Sequence, residues 1–425
     1  MKATRRDVLL AMGAGVGALA LPRVGRAQGA AHVVVIGGGF GGATAARYLR
    51  RLNPDLRITL VEPNERFATC PFSNLYLGGL REWDSITHGY DDLRAAGVDV
   101  IHARAEDVDT TARTVTLSGG SRLDWDRLVL SPGIDFRWGE LAGYDEAAVE
   151  LAPHAWKAGP QTQLLRSQLE AMEDGGSFVM VVPQGAFRCP PGPYERASMV
   201  AHYFRTHKPR SKVIILDSQD RFSKQPLFQQ GWQALYGDMI EWVSQTDDGL
   251  VVEVDAAARE AVTAFGTRHK ADVLNVIPPQ KAGLIAERAG VTDDTGWVPV
   301  VADSFESARV PGVYVLGDAT IAAPMPKSGF CANAQGKVAA AAITADLAGR
   351  EPPPASFANT CYSLIGPGYG ISVAGVYRAE DGKVVEVPDS GGVSPLEAGP
   401  EFRRAEAEYG AGWYAAICAD IWGTA

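Results

Sequence analysis

A chain of 425 residues exceeds one ordinary domain, and 46% apolar with 21% charged residues gives it material for two or three cores. The formal charge is −10, and five basic residues (Lys2, Arg5, Arg6, Arg23 and Arg26) crowd the first 27 positions, so the remainder is more acidic still. Such a polyanion repels nucleic acid and anionic membrane surfaces and suits a basic protein partner.

Thr4–Leu10 (TRRDVLL) is a twin-arginine pattern, followed by a short apolar Gly/Ala-rich stretch to about Leu21 and small-residue sites near Ala27 and Ala30. It predicts export of an already folded protein to the periplasm. The alternative, an uncleaved anchor, would need a longer and bulkier apolar run. Five cysteines in an exported chain leave at least one without a cysteine partner.

His32–Ile36 (HVVVI) is a continuous apolar run, the pattern of a parallel strand buried on both faces. Gly37-Gly38-Gly39-Phe40-Gly41-Gly42 follows, then a helix over Ala43–Arg51 and a second strand, Arg57–Glu62. The GxGxxG spacing falls on Gly37, Gly39 and Gly42. The first is suited to the tight turn, the second to close approach of a pyrophosphate, and the third to helix–strand packing. The unpaired N–H groups of the helix then face the phosphates. Glu62, twenty residues beyond Gly42, is placed for the ribose hydroxyls.

Two later segments point to FAD rather than NAD. Leu128–Gly133 (LVLSPG) looks like the strand and turn by which flavoproteins leave their first domain. Gly312–Asp318 (GVYVLGD) resembles a second FAD motif, in which Gly317 and Asp318 reach the ribityl chain, with Lys327-Ser328-Gly329 and a helix from about Asn333 to Leu347 behind it. The expected fold is α/β, with two Rossmann-like dinucleotide-binding domains and a C-terminal interface domain. The FAD domain is split over 31–140 and 271–350, the second domain is inserted at 141–270, and 1–30 and 351–425 are the signal and the C-terminal domain.

In the inserted domain the strands are Ser177–Val182 and Lys212–Asp217. The turn after the first runs Pro183 to Pro193 without the glycine spacing, and its prolines donate no N–H to a pyrophosphate. The domain is expected to keep its fold without a nucleotide; the alternative is an unusual NADH site. Cys189 sits in that turn before a helix expected over Tyr194–Arg205, where a helix N-terminus would lower its pKa. Glu195, six residues on, is placed to take or return a proton. Cys70 follows the second strand, Cys361 lies in the C-terminal segment, and Cys331 and Cys418 have no such context.

With RCPPGPYERA (Arg188–Ala197), TCPFSN (Thr69–Asn74), the segment Pro326–Ala340 and NTCYSLIGPGYGIS (Asn359–Ser372), the mature chain resembles the flavoprotein subunit of the flavocytochrome c sulfide dehydrogenases. These are relatives of the sulfide:quinone oxidoreductases in the glutathione reductase structural family. The resemblance implies FAD bonded covalently to Cys70, a redox disulfide between Cys189 and Cys361, Glu195 beside it, and Lys327 near the cofactor. It implies sulfide as the substrate, no metal on this chain, and electrons leaving to a c-type cytochrome subunit in a heterodimer. With no CxxCH present, the haem belongs to that subunit.

Alternatives remain at this stage. Cys189–Cys361 could be a structural disulfide, Cys331 could compete as partner of Cys361, and Cys70 could be an unmodified thiol. The aromatic tail, with Trp413 and Trp422, could conduct, shield or simply pack. Only Arg403 and Arg404 are basic between Glu397 and Ala425, which disfavours stable membrane insertion and a quinone-reducing role. A non-catalytic flavin scaffold and an NADH-dependent disulfide reductase complete the set.

Overall fold

The computed structural model describes residues 30–423, so the twin-arginine segment lies outside the described residues. The first domain begins β1 (His32–Ile36), α1 (Phe40–Leu52), β2 (Arg57–Val61), β3 (Asp99–Ile101) and β4 (Arg127–Leu130). The second contributes β5 (Ser177–Val181), α2 (Gly192–His207), β6 (Lys212–Leu216), α3 (Gln225–Tyr236), β7 (Ile240–Val243) and β8 (Val273–Val276). The chain then returns through β9 (Val313–Val315) and α4 (Gly329–Leu347), and ends in β10 (Ser356–Gly366), β11 (Tyr369–Glu380) and α5 (Pro400–Trp422).

The first sheet is parallel in the order β9-β4-β1-β2-β3, so the split domain closes when β9 pairs with β4. The second is parallel in the order β7-β6-β5-β8. Every residue of β1 is buried, as its unbroken apolar run requires. Val273–Val276, beyond the expected boundary at residue 271, hydrogen-bonds to β5 inside the second sheet. The crossover comes later, where Ile134–Phe136 pairs antiparallel with Gln280–Ala282.

Helices α1 and α4 meet closely because both contact points are glycines. A Cβ on Gly336 would lie 2.7 Å from the Gly41 carbonyl oxygen. The helix expected from Asn333 starts four residues earlier, at Gly329, because the Ser328 side chain accepts the Cys331 N–H and caps it. The C-terminal segment is an antiparallel hairpin, β10–β11, with α5 laid across it. A Cβ on Gly370 would sit 2.4 Å from the Ala407 nitrogen. The end of α5 returns to the first βα turn, where Trp422 Nε1 donates to the Gly38 carbonyl at 3.2 Å and its ring meets Phe40 edge-on.

Candidate functional site: a cavity shared by three domains

The turn from β1 into α1 shows why glycine recurs there. Gly37 has φ +100°, and a Cβ on it would stand 2.3 Å from the Ser131 carbonyl oxygen at the end of β4. A Cβ on Gly42 would lie 2.0 Å from the Gly37 carbonyl oxygen, so this glycine serves the turn itself. Gly39 precedes the first turn of α1 and faces the Phe67 ring. Glu62 is buried, with Oε2 accepting the Gly38 N–H at 2.9 Å and Oε1 accepting from Asn64.

Gly37, Gly39 and Glu62 line a cavity of about 940 Å³ that runs between the domains, while Gly42 stays behind it. Gly317, with φ +73° and its N–H on Gln335, and Asp318 lie in its wall. Lys327 donates to the Asp318 and Thr320 carbonyls at 2.8 and 2.7 Å and sits 3.7 Å from the centre of the Trp297 ring. Burial lowers its pKa to about 8.

The wall contains buried polar atoms without a protein partner: Asp318 Oδ1, Trp156 Nε1 and Trp413 Nε1. Leaving such atoms unpaired costs about 1–3 kcal/mol each, and here they line a long cavity with a glycine turn and a helix N-terminus at one end. A dinucleotide such as FAD fits that donor and acceptor set.

At the other end the cysteines gather. Cys70, Cys189 and Cys361 all line this cavity, brought from the first, second and C-terminal domains. All five cysteines of the chain are free thiols here. Cys70 Sγ contacts the Trp156 carbonyl at 3.5 Å. The Arg188 guanidinium donates to the same carbonyl and lies 3.6 Å from Asp318 Oδ2, linking Cys70 to the Asp318 region.

Cys189 adopts φ +57°, a conformation uncommon for a side chain other than glycine, asparagine or aspartate. Its N–H is held by the Lys327 carbonyl at 2.9 Å, and its carbonyl accepts the Gly192 N–H at 2.7 Å. The expected lowering of its pKa by a helix N-terminus is not what this geometry gives. Helix α2 begins only at Gly192, beyond the thiol, and burial, the Cys361 sulfur and Glu195 all push the Cys189 thiol up.

Glu195 stands in the first turn of α2, accepting the Leu364 N–H and the Asn74 Nδ2 donor at 2.9 Å each. Burial raises its pKa. The polarity of this chain of bonds is fixed, since Asn74 Oδ1 accepts from Arg196 Nε. Arg196 is 1% exposed and bonds the His154 and Ala155 carbonyls and Asn275, bracing the segment that carries Trp156.

Sequence reasoning singled out neither Arg188 nor Asn359 individually and passed over Lys224 and Trp156. Lys224 precedes α3 with φ +63°, an unusual residue there, and the Pro226 that marks the start of the helix was the available signal. Cys331 is buried and touches Asn359 Oδ1 at 3.4 Å, and Cys418 is buried against Tyr414. Trp413 lines the cavity and stacks on Phe330 with 3° between the planes.

The second domain has a different interior from the first. Asp217, at the end of β6 where β2 carries Glu62, is fully buried and accepts from Tyr194 Oη at 2.7 Å and Trp242 Nε1 at 2.9 Å. The Tyr194 ring stacks on Phe222 at 3.6 Å, and Phe222 in turn meets Trp232 and Trp242. Aromatic side chains occupy the space above the carboxyl ends of these strands.

Residues 162–278 match the central part, and 353–422 the flavin-binding part, of the flavoprotein chain of flavocytochrome c sulfide dehydrogenase. The chain belongs to this family of sulfide-oxidising flavoproteins. Residues 31–170 match the pyridine nucleotide-disulphide oxidoreductases, consistent with the doubly wound architecture. A flavocytochrome c sulfide dehydrogenase flavoprotein chain from Chlorobaculum thiosulfatiphilum is 63% identical over 46 residues, which are 11% of this chain and 96% of that sequence. The mitochondrial sulfide:quinone oxidoreductase of Mus musculus is 22% identical over 68% of this chain, which spans 65% of that relative's length. In three dimensions the sulfide:quinone oxidoreductase from Aquifex aeolicus superposes with a TM-score of 0.68 over 93% of both chains at 20% identity. The family fold is thus shared along nearly the whole chain, and the chain is an oxidoreductase-family flavoprotein.

Proposed function

We propose that this chain is the flavin subunit of a periplasmic sulfide:cytochrome c oxidoreductase. The observation that carries the reading is the meeting of Cys189 and Cys361, from two different domains, in the wall of the cavity that fits FAD, with Glu195 beside them. In the oxidised pair, HS⁻ attacks one sulfur; a new S–S bond forms, the Cys189–Cys361 bond breaks, and its electron pair leaves on the other sulfur as thiolate. Glu195, held by Leu364 and Asn74, is the group placed to accept the proton of H₂S. Gly37, Gly39, Gly42 and Glu62 would hold the adenosine diphosphate half of FAD, Gly317, Asp318 and Lys327 the flavin half, and Cys70 the covalent link. Bound FAD would supply a two-electron acceptor able to release electrons singly to haem c on a cytochrome subunit.

The aromatic filling around Asp217 supports a second domain without a nucleotide, against an NADH-dependent reductase. The quinone-reducing alternative draws on the mouse and Aquifex relatives. Against it, Arg403 is buried beside Glu406, which leaves Arg404 as the exposed cation of α5. Among the described residues no helix is long and apolar enough to cross a membrane.

The test is an anaerobic absorbance titration of the purified flavoprotein with sulfide and, separately, NADH, followed by turnover with cytochrome c or a soluble quinone. Bleaching by sulfide alone and turnover with cytochrome c are expected, and Cys361→Ser should abolish the bleaching with FAD still bound. Bleaching by NADH alone, or turnover only with quinone, would overturn the assignment.

A further inference from the structure

Cys361 is held differently from Cys189. Lys224, from the second domain, reaches across to the C-terminal hairpin, where its Nζ donates to the Cys361 carbonyl and to Ser363 Oγ, each at 2.8 Å. The side chain is almost completely buried, and its backbone is left-handed, φ +63° and ψ 22°. Its carbonyl accepts the Leu227 and Phe228 N–H groups that open α3. A buried lysine in a backbone conformation that favours glycine is held there by its surroundings, a pattern concentrated at functional sites.

On the other side, Asn359 Nδ2 donates to Cys361 Sγ at 3.3 Å. The amide orientation follows from its neighbours. Ser328 Oγ accepts the Cys331 N–H, so its own hydrogen goes to Asn359 Oδ1 at 2.7 Å, and the Cys331 thiol also reaches that oxygen. With Oδ1 so occupied, the amide nitrogen is the nearer atom to the Cys361 sulfur, at 3.3 Å, while Oδ1 stands at 3.7 Å, in reach of the thiol hydrogen. Cys331 thereby belongs to the support of Asn359.

We propose that Lys224 and Asn359 are positioning residues that make Cys361, rather than Cys189, the sulfur of the pair that carries negative charge. The proposal rests on the preceding section in taking these two as the redox pair. When HS⁻ adds to Cys189 Sγ, a Cys189–S–SH persulfide forms and the electron pair of the broken disulfide leaves on Cys361 Sγ, beside an ammonium and an amide donor. Cys189 has no donor on its sulfur among the hydrogen bonds of the described residues. The charged and titratable groups around the pair are Lys224 from the α3 side, facing both sulfurs, Glu195 and Arg196 on α2, Cys189 and Arg188 in its preceding turn, Cys331 on α4, Tyr377 on β11 and Glu406 on α5. Burial raises Cys361, while Lys224 and Asn359 pull it down.

The experiment is alkylation of the reduced holoprotein with iodoacetamide across pH, with Cys361 and Cys189 peptides quantified separately by mass spectrometry. In the unmodified protein Cys361 should react with the lower midpoint. An opposite charge within about 4–6 Å is worth about 1–3 pH units, and Lys224 holds the Cys361 carbonyl rather than its sulfur, so Lys224→Met should raise the Cys361 midpoint by about one unit, tenfold less thiolate at a given pH, and Lys224→Arg should restore it. Asn359→Leu, close in shape to asparagine but without a donor, provides a second reading if Lys224→Met fails to fold. A lower midpoint for Cys189 in the unmodified protein, or an unchanged Cys361 midpoint in a folded Lys224→Met or Asn359→Leu protein, would overturn the proposal. No sulfide is used, so this result is separate from failure of the sulfide titration.

Discussion

Gly192 opens α2 directly behind the Cys189 thiol, and replacing it with alanine tests how tightly that sulfur is positioned. The new Cβ would stand 2.8 Å from Trp156 Cη2, closer than real carbon contacts allow, and 3.0 Å from Cys189 Sγ, a tight contact that a shift of a few tenths of an ångström relieves. Gly192 has no positive φ, so its backbone tolerates alanine, and the helix gains up to about 1 kcal/mol of propensity. Overpacking opposes this with about 1–3 kcal/mol. The two neighbours do not yield equally. Both line the cavity, but Trp156 is 5% exposed, with Arg196 4.8 Å from its ring and Phe187 edge-on, whereas Cys189 is the less buried and smaller of the two. The sulfur therefore moves.

Gly192→Ala should lower stability by no more than about 3 kcal/mol, the overpacking cost less whatever the helix gains. A displacement of about 1 Å at a reacting atom is worth about a hundredfold in rate, and the sulfur need give only a few tenths of an ångström, so sulfide-driven flavin bleaching should slow by up to about tenfold. Stopped-flow bleaching and thermal melting of the same preparation measure both. Gly412→Ala is the control: it lies on α5 with open space around its Cβ position and should stabilise by about 0.5–1 kcal/mol with no kinetic effect. Wild-type bleaching in Gly192→Ala, with an unchanged melting temperature, would refute the packing argument.

Replacing Cys70 with alanine should release flavin into the supernatant on acid denaturation, while the unmodified protein retains it in the pellet; flavin still bound to the variant pellet would remove Cys70 as the attachment site. Two buried histidines set a pH dependence of stability. His88, stacked on Trp422, and His154, whose Nδ1 accepts the Trp156 N–H, are lowered by burial from 6.5 to about 4 and about 3. A depressed folded pKa means that the unfolded chain binds the proton first, so stability is full above about pH 6.5 and falls as pH drops toward 4. Melting temperatures measured over that range should decline, and His88→Phe should flatten part of the decline; an identical slope in the variant would contradict the burial of neutral His88.

The strand–turn–helix at His32–Leu52 was legible because each residue answers a local demand: β1 is apolar throughout since both sheet faces are covered, and Gly37 has a φ that only glycine adopts readily. The degenerate turn at Pro183–Pro193 was legible for the same reason, as prolines cannot donate. The sequence alone therefore determined the two wound domains, the dinucleotide turn and the cysteines worth watching.

What it could not determine depends on distant segments. The titration of Cys189 looked local, as a helix-end effect, but burial by three domains reverses it. Asp217 reads like Glu62 in one dimension, yet Tyr194 and Trp242 occupy it, 23 residues before it and 25 after it. Lys224 meets Cys361 from 137 residues away, and Asn359 turns its amide only because Ser328, 31 residues earlier, takes the oxygen. Local backbone rules fix a turn within a few residues, whereas the charge on a buried sulfur is set by whichever groups the tertiary fold brings within a few ångströms of it.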